Sequence, residues 1–211
     1  MKKHVSELTP EEFQKVFPIT LKDYNPQYQK MYQQAAMTIR NIIDDQWIVR
    51  INHIGSSAIP GLIAKPVVDI LMEVDGTCRI TELLEKLQTI GFGTEICNRS
   101  ENPFRMLLSK GMTCEGFAQE VFLLHVRYAG DWDELYFRDY LFEHPDTAKE
   151  YGELKEQILK EINEGKIERM PNGRPNGYSN AKLAFVKKIS AEAREMYRGR
   201  YALSPSVAYE K

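Results

Sequence analysis

The side chains best suited to chemistry crowd into positions 53–74, which read His-Ile-Gly-Ser-Ser-Ala-Ile-Pro-Gly-Leu-Ile-Ala-Lys-Pro-Val-Val-Asp-Ile-Leu-Met-Glu-Val. An apolar run from Ile48 to Ile54 meets Gly55, Ser56 and Ser57. A short loop punctuated by Pro60 and Gly61 follows, and a second apolar run carries Asp69 at its centre. Glycine lets a backbone come close to an anion, serine offers a hydroxyl and an N–H, and an inward carboxylate can hold a cation against that anion. Strand, small-residue turn and strand is therefore a layout for a phosphorylated ligand.

Asp69 sits among Val67, Val68, Ile70, Leu71 and Met72, where an unpaired charge is expensive, so a metal, a cationic side chain or backbone donors must meet it. Lys65, between the turn and the second run, can neutralise phosphate as a point cation or stand as a solvated loop lysine. His53, just before the turn, can contact a phosphate, position Asp69 or cap the strand edge. In the later run Val121–Tyr128, alternation puts Leu123, His125 and Arg127 on one face, and the last two read as part of an anion pocket. Arg105 is another charge in an apolar run and a weaker candidate.

The segments His53–Leu62 and Ala64–Ile70 closely resemble the GrpB-like family, a branch of the nucleotidyltransferase superfamily that includes DNA polymerase beta. The resemblance continues through Leu124-His125-Val126, Phe137-Arg138-Asp139-Tyr140-Leu141, His144-Pro145, Ala181-Lys182 and Phe185. It implies an α+β, nucleotidyltransferase-like fold: a mixed β-sheet with flanking helices and a C-terminal helical subdomain. By the same analogy Gly55, Ser56 and Ser57 meet a nucleotide's phosphates, Asp69 is the catalytic residue and ligand for a Mg²⁺ ion, and Arg138 and Lys182 line the cleft from the opposite side. Asp139 reads as an ordinary helix-surface ion pair.

Active nucleotidyltransferases carry two acids on alternate positions of this strand; here Leu71 occupies the second. Glu73 shares the face, but four residues at ~3.3 Å rise place it about 13 Å along. Cooperating metals sit ~3.5–4 Å apart, so Asp69 and Glu73 cannot clamp one pair. Two readings stay open. One is an enzyme that transfers a nucleotidyl or phosphoryl group with a single Mg²⁺ on Asp69. The other is a non-catalytic nucleotide- or coenzyme-binding module, a role implied by the fusion of some family members to dephospho-coenzyme A kinase.

The elements that must position these residues follow from periodicity. Thr9-Pro10-Glu11-Glu12 starts a short helix over 10–16, with a hydroxyl cap and acids near the positive end of the dipole. Asn25-Pro26 starts a longer one with Tyr28, Met31, Tyr32, Ala35, Ile39, Ile42 and Ile43 at helical spacing. Strands are expected at 47–54 and 66–74, then a helix from Ile80 to Ile90 closed by Gly91. Three β-like runs follow at 92–98, 103–109 and 118–128, the last two paired as a hairpin, and then helices at 132–143, 145–164 and 179–198. Glu150–Lys166 reads as a solvated, charge-rich helix. The expected division is a tail and short helix at 1–16, an α/β core at 17–130, a helical part of the same domain at 131–198 and a tail at 199–211.

Composition excludes several classes. The 211 residues are 43% hydrophobic and 27% charged with net charge −2, which argues against nucleic acid or an anionic membrane as partner. No apolar run approaches the ~18–20 residues that span a bilayer, and the start lacks the apolar core of a secretion signal. Cys78, Cys97 and Cys114 form no CxxC pair, so free thiols in a cytoplasmic, reducing location are expected. The expected partner is a nucleotide or other phosphorylated small molecule; oligomeric state is left open.

Overall fold

The computed structural model describes residues 5–98, 104–171 and 176–202. Helix α1 covers Pro10–Val16, with Thr9 and Glu12 closing a reciprocal capping box. Helix α2 covers Gln27–Ile42, its start tied by Asn25 Oδ1 accepting from Gln27 N at 3.0 Å. Strands β1 (Ile48–Ile54) and β2 (Val68–Val74) precede α3 (Ile80–Thr89). Then come β3 (Gly93–Asn98), β4 (Arg105–Thr113) and β5 (Gly116–Tyr128), and helices α4 (Asp133–Glu143) and α5 (Pro145–Asn163). The expected helix at 179–198 is two pieces, α6 (Gly177–Ala181) and α7 (Leu183–Met196), broken at Lys182.

The five strands form one mixed sheet in the order β1-β2-β5-β4-β3, with β2 and β5 parallel and the other neighbours antiparallel. The β4–β5 hairpin is longer than periodicity suggested, because its outer end is held by the ladder rather than by burial. It carries a register shift between Lys110 and Met112. Gly111 between them has φ +86°, and a Cβ there would lie 2.1 Å from the Glu120 carbonyl oxygen.

Alternation divides the sheet. Val68, Ile70, Met72 and Val74 of β2, with Phe122, Leu124 and Val126 of β5, face α2 and α3 and build the main core with Ile39, Leu83 and Leu87. Asp69, Leu71 and Glu73 point the other way, beside His125 and Arg127. That second face is covered by C-terminal helices: Leu71 packs with Ile54 and Leu135, and Arg138 of α4 donates to the His53 carbonyl at 3.1 Å. Helices thus flank both faces, so the C-terminal part roofs the sheet rather than standing beside it.

Glu73 shows what a charge on this face requires. It is fully buried, gripped by Arg50 through Nε at 2.8 Å and Nη2 at 2.6 Å, and it accepts the Gly130 N–H at 3.1 Å. Arg50 also donates to the carbonyls of Gly130 and Tyr201. The acid four residues from Asp69 is therefore committed to structure.

Candidate functional site

The site grows from the junction of β1 and β2. Ile54 pairs with Asp69 across the ladder, so the next residue turns directly over the Asp69 carboxylate. Gly55 takes φ 70°, ψ −174°, a backbone state essentially reserved for glycine. A Cβ there would lie 2.7 Å from Asp69 Oδ2, so a side chain would collide with that carboxylate as well as strain the chain. Ser56–Ala58 then forms a single 3₁₀ turn, and the loop beyond it is tied down where Lys22 and Ala64 exchange N–H···O bonds of 2.8 and 2.9 Å.

His53 lies opposite Ile70 and so projects to the face away from Asp69. Its ring stacks on Tyr32 with centroids 5.0 Å apart. Nδ1 lies 3.3 Å from Gln29 Oε1, and Nε2 lies 3.1 Å from the buried Ser57 hydroxyl. Burial pushes its pKa down to about 4, giving a neutral imidazole that donates through Nδ1 and accepts from Ser57. His53 and Ser57 therefore brace the turn from its far side.

Asp69 and His125 do meet, with Oδ1 and Nε2 3.3 Å apart and side chains 27% and 23% exposed. Arg127 shares their face but not their company. Nearly buried, it donates to the Val126 carbonyl at 3.0 Å, comes within 3.8 Å of Glu134 and lies over the Trp132 ring. Arg138 is likewise spent, donating to Asn52 Oδ1, to the His53 carbonyl, to Asp139 and to the Tyr201 hydroxyl. Asp139 also accepts from Arg200 at 2.9 Å. Both arginines fasten the helical roof to the sheet.

The cation that reaches the turn is a lysine, and two more lie near Tyr178. Lys155 of α5 is 2% exposed; its Nζ donates to Ser56 Oγ at 3.1 Å and to the Ile63 carbonyl, and lies 4.8 Å from the Tyr151 ring centroid. Lys182, at the break between α6 and α7, holds its Nζ 4.4 Å from the Tyr178 ring centroid, and Lys65 approaches the same ring at 5.7 Å. Burial pushes Lys155 down to about 7, with Lys182 adding repulsion; burial and Lys65 push Lys182 down to about 8. The carboxylates acting on them are Glu156, on the exposed side of α5, and Asp69. Tyr178 is 3% exposed, and its hydroxyl is buried without a hydrogen-bond partner, as is Asn176 Oδ1.

Lys155 is the residue that the sequence reading missed by taking its helix as a solvated face. The signal was present. Lys155 stands four residues after Tyr151 and three before Ile158, inside the apolar stripe, where a charge needs a reason. As for metals, the described residues contain no group of three or more His, Cys, Asp and Glu side chains that could hold an ion. Leu71 is fully buried and Glu73 is ion-paired, so the donor set does not fit a two-metal centre. A separate, mainly apolar groove of about 630 Å³ lies between Ile59–Ile63 and helices α4 and α5, with Lys149, Glu153 and Glu156 along it but none of Ser56, Asp69, Lys65, Lys155 and Lys182.

The comparisons agree with this architecture. A family model described as "GrpB protein" matches residues 18–192. The glutamate-rich protein GrpB of Alkalihalophilus pseudofirmus is 28% identical over 177 residues, covering 82% of this chain and 95% of that protein. UPF0157 protein YqkA of Bacillus subtilis is 25% identical over 187 residues, covering 87% of this chain but 50% of that protein. The crystal structure of the conserved protein GrpB from Enterococcus faecalis superposes with a TM-score of 0.67 at 26% identity, covering 84% of this chain and 99% of that one. Among the described residues no helix is long and apolar enough to cross a membrane.

Proposed function

The chain belongs to the GrpB protein family, and from that premise and the lysine cluster we propose that it binds a phosphorylated small molecule, a nucleotide by class. The phosphate would lie against Ser56, Lys155, Lys182 and Lys65. One observation carries the reading: three ammonium groups converge on Ser56 and Tyr178 without carboxylates enough to neutralise them. Lys155 is buried and Lys182 half-buried, with Lys65 exposed beside them; cations taken out of water that repel one another are costly, and an anion relieves that cost. Gly55 serves the same end, since its missing side chain leaves the turn close to Asp69.

A second reading, transfer of a nucleotidyl or phosphoryl group, is favoured by the Asp69–His125 pair beside the turn. One carboxylate plus a ligand's phosphates fits a single Mg²⁺, which would supply charge neutralisation at the phosphates. A nucleotidyltransferase-like fold would give Asp69 this part. The buried Leu71 argues for binding without transfer.

A thermal-shift screen of nucleotides and coenzymes, with and without Mg²⁺, tests both readings. A ligand at 100 times its Kd should add ~2.7 kcal/mol of stability. If transfer is real, pyrophosphate or phosphate release should accompany binding. Asp69→Asn should then abolish any Mg²⁺ dependence while changing apo stability by less than ~1 kcal/mol, as for partly exposed pairs. Affinity indifferent to Mg²⁺, with no release, would leave a binding protein; no stabilisation by any phosphorylated compound would remove both readings.

A further inference from the structure

We propose that the lysine cluster is built for a single dianionic phosphate group, so that the ligand class is a phosphate monoester rather than a di- or triphosphate. The inference rests on the phosphate-binding reading above and narrows it.

Charge and donor supply both point this way. Lys65, Lys155 and Lys182 bring at most three positive charges, opposed by Asp69 from the sheet side and by Glu156 on the exposed side of α5. A dianion is more than enough to offset what remains. A triphosphate would exceed it and press further negative charge toward Asp69, which the Gly55 turn holds close. Donors match a compact group too. Lys155 Nζ spends two of its N–H groups on Ser56 Oγ and the Ile63 carbonyl, leaving one. Tyr178 carries a hydroxyl that is buried and has no partner, next to the ring faced by Lys65 and Lys182. An oxyanion seated there gives that hydroxyl its acceptor, and few such groups stay unsatisfied in folded proteins.

Binding should also draw in protons. Around Lys155 stand Lys182 at the helix break, Glu156 and Tyr151 on its own helix, and Ser56 on the turn; around Lys182 stand Lys65, Asp69 and Tyr178. With Lys155 held at about 7, much of it is neutral at pH 8, and a dianion beside it restores the ammonium.

The test is calorimetric titration of the full chain at pH 8 and fixed ionic strength with inorganic phosphate, pyrophosphate and tripolyphosphate, repeated in buffers of different ionisation heat. Phosphate should bind at least as tightly as the longer anions, with net proton uptake above about half a proton per anion. A Lys182→Met variant should lose at least about tenfold in phosphate affinity. Affinity that climbs tenfold or more with each added phosphate would overturn the monoester proposal and leave the phosphate site standing. Phosphate binding with no proton uptake, or binding unchanged in Lys182→Met, would overturn the proposal as well. No binding of any of the three anions would remove the site itself.

Discussion

Lys155→Met is expected to make the protein more stable while weakening its hold on phosphorylated ligands on the order of 100-fold, the usual scale for removing one partner of a buried charge contact. Methionine has nearly the length of lysine and suits the apolar stripe of Tyr151 and Ile158 in which position 155 sits. The stability change follows from linkage. In the unfolded chain Lys155 titrates near its ordinary 10.5, and in the folded chain near 7. Between those values the unfolded state binds more protons, so stability rises as pH rises from 7 toward 10.5. At pH 7 the penalty is at most ~5 kcal/mol, at 1.36 kcal/mol for each pH unit of difference. Against it stand the hydrogen bonds to Ser56 and the Ile63 carbonyl, whose loss costs ~1–3 kcal/mol. A net gain of ~2 kcal/mol at pH 7 is the expected balance. Urea unfolding from pH 6.5 to 10 checks it: the wild type should stabilise with pH and the variant should show a flatter profile.

Arg50→Ala is expected to act in the opposite sense and only on stability. It removes both hydrogen bonds to Glu73, at 2.8 and 2.6 Å, and leaves a carboxylate with no exposed surface. It also frees the carbonyls of Gly130 and Tyr201, which tie the end of β5 and the chain after α7 to the sheet. A loss of ~3–5 kcal/mol follows, as for other buried pairs broken on one side. The double variant Arg50→Met/Glu73→Leu should recover most of it, because two apolar groups replace the pair without stranding a charge. Chemical denaturation of the three variants measures the difference. A single-variant loss below about 1 kcal/mol would mean that water reaches Glu73 once Arg50 is gone.

The apolar runs at Ile48–Ile54 and Val68–Val74 marked the strands, and the β4–β5 hairpin followed from Gly111 and Gly116. Alternation within each strand put His125 with Arg127 and Asp69 with Leu71, and the parallel register, pairing Asp69 with Leu123 and Leu71 with His125, brings the two sets to one face. His53 could not be placed that way. Its face depends on the antiparallel register of β1 with β2, and a loop of 13 residues between the strands leaves that register open until Ile54 is seen opposite Asp69.

The roles of charges were less legible than their positions. Arg127 and Arg138 carry the donors expected of an anion site, but Trp132 at the start of α4 and Glu134 and Asp139 within it engage them. That packing is a tertiary fact with no local signature. Lys155 failed for the reverse reason: the charge-rich composition of α5 hid a single lysine on its buried stripe. Lys182 entered by family resemblance, and its value comes from a helix break that a 3.6-residue period does not announce.

The most direct measurement is the position of a tetrahedral dianion with an anomalous signal, selenate, in crystals of the wild-type protein. The peak should lie within hydrogen-bond reach, ~2.7–3.2 Å between heavy atoms, of Lys155 Nζ or Lys182 Nζ and beside Ser56. It should be absent from Lys155→Met crystals soaked identically. A peak that persists in that variant, or anion density only at the apolar groove or the outer surface, would contradict the assignment of these lysines as the phosphate site.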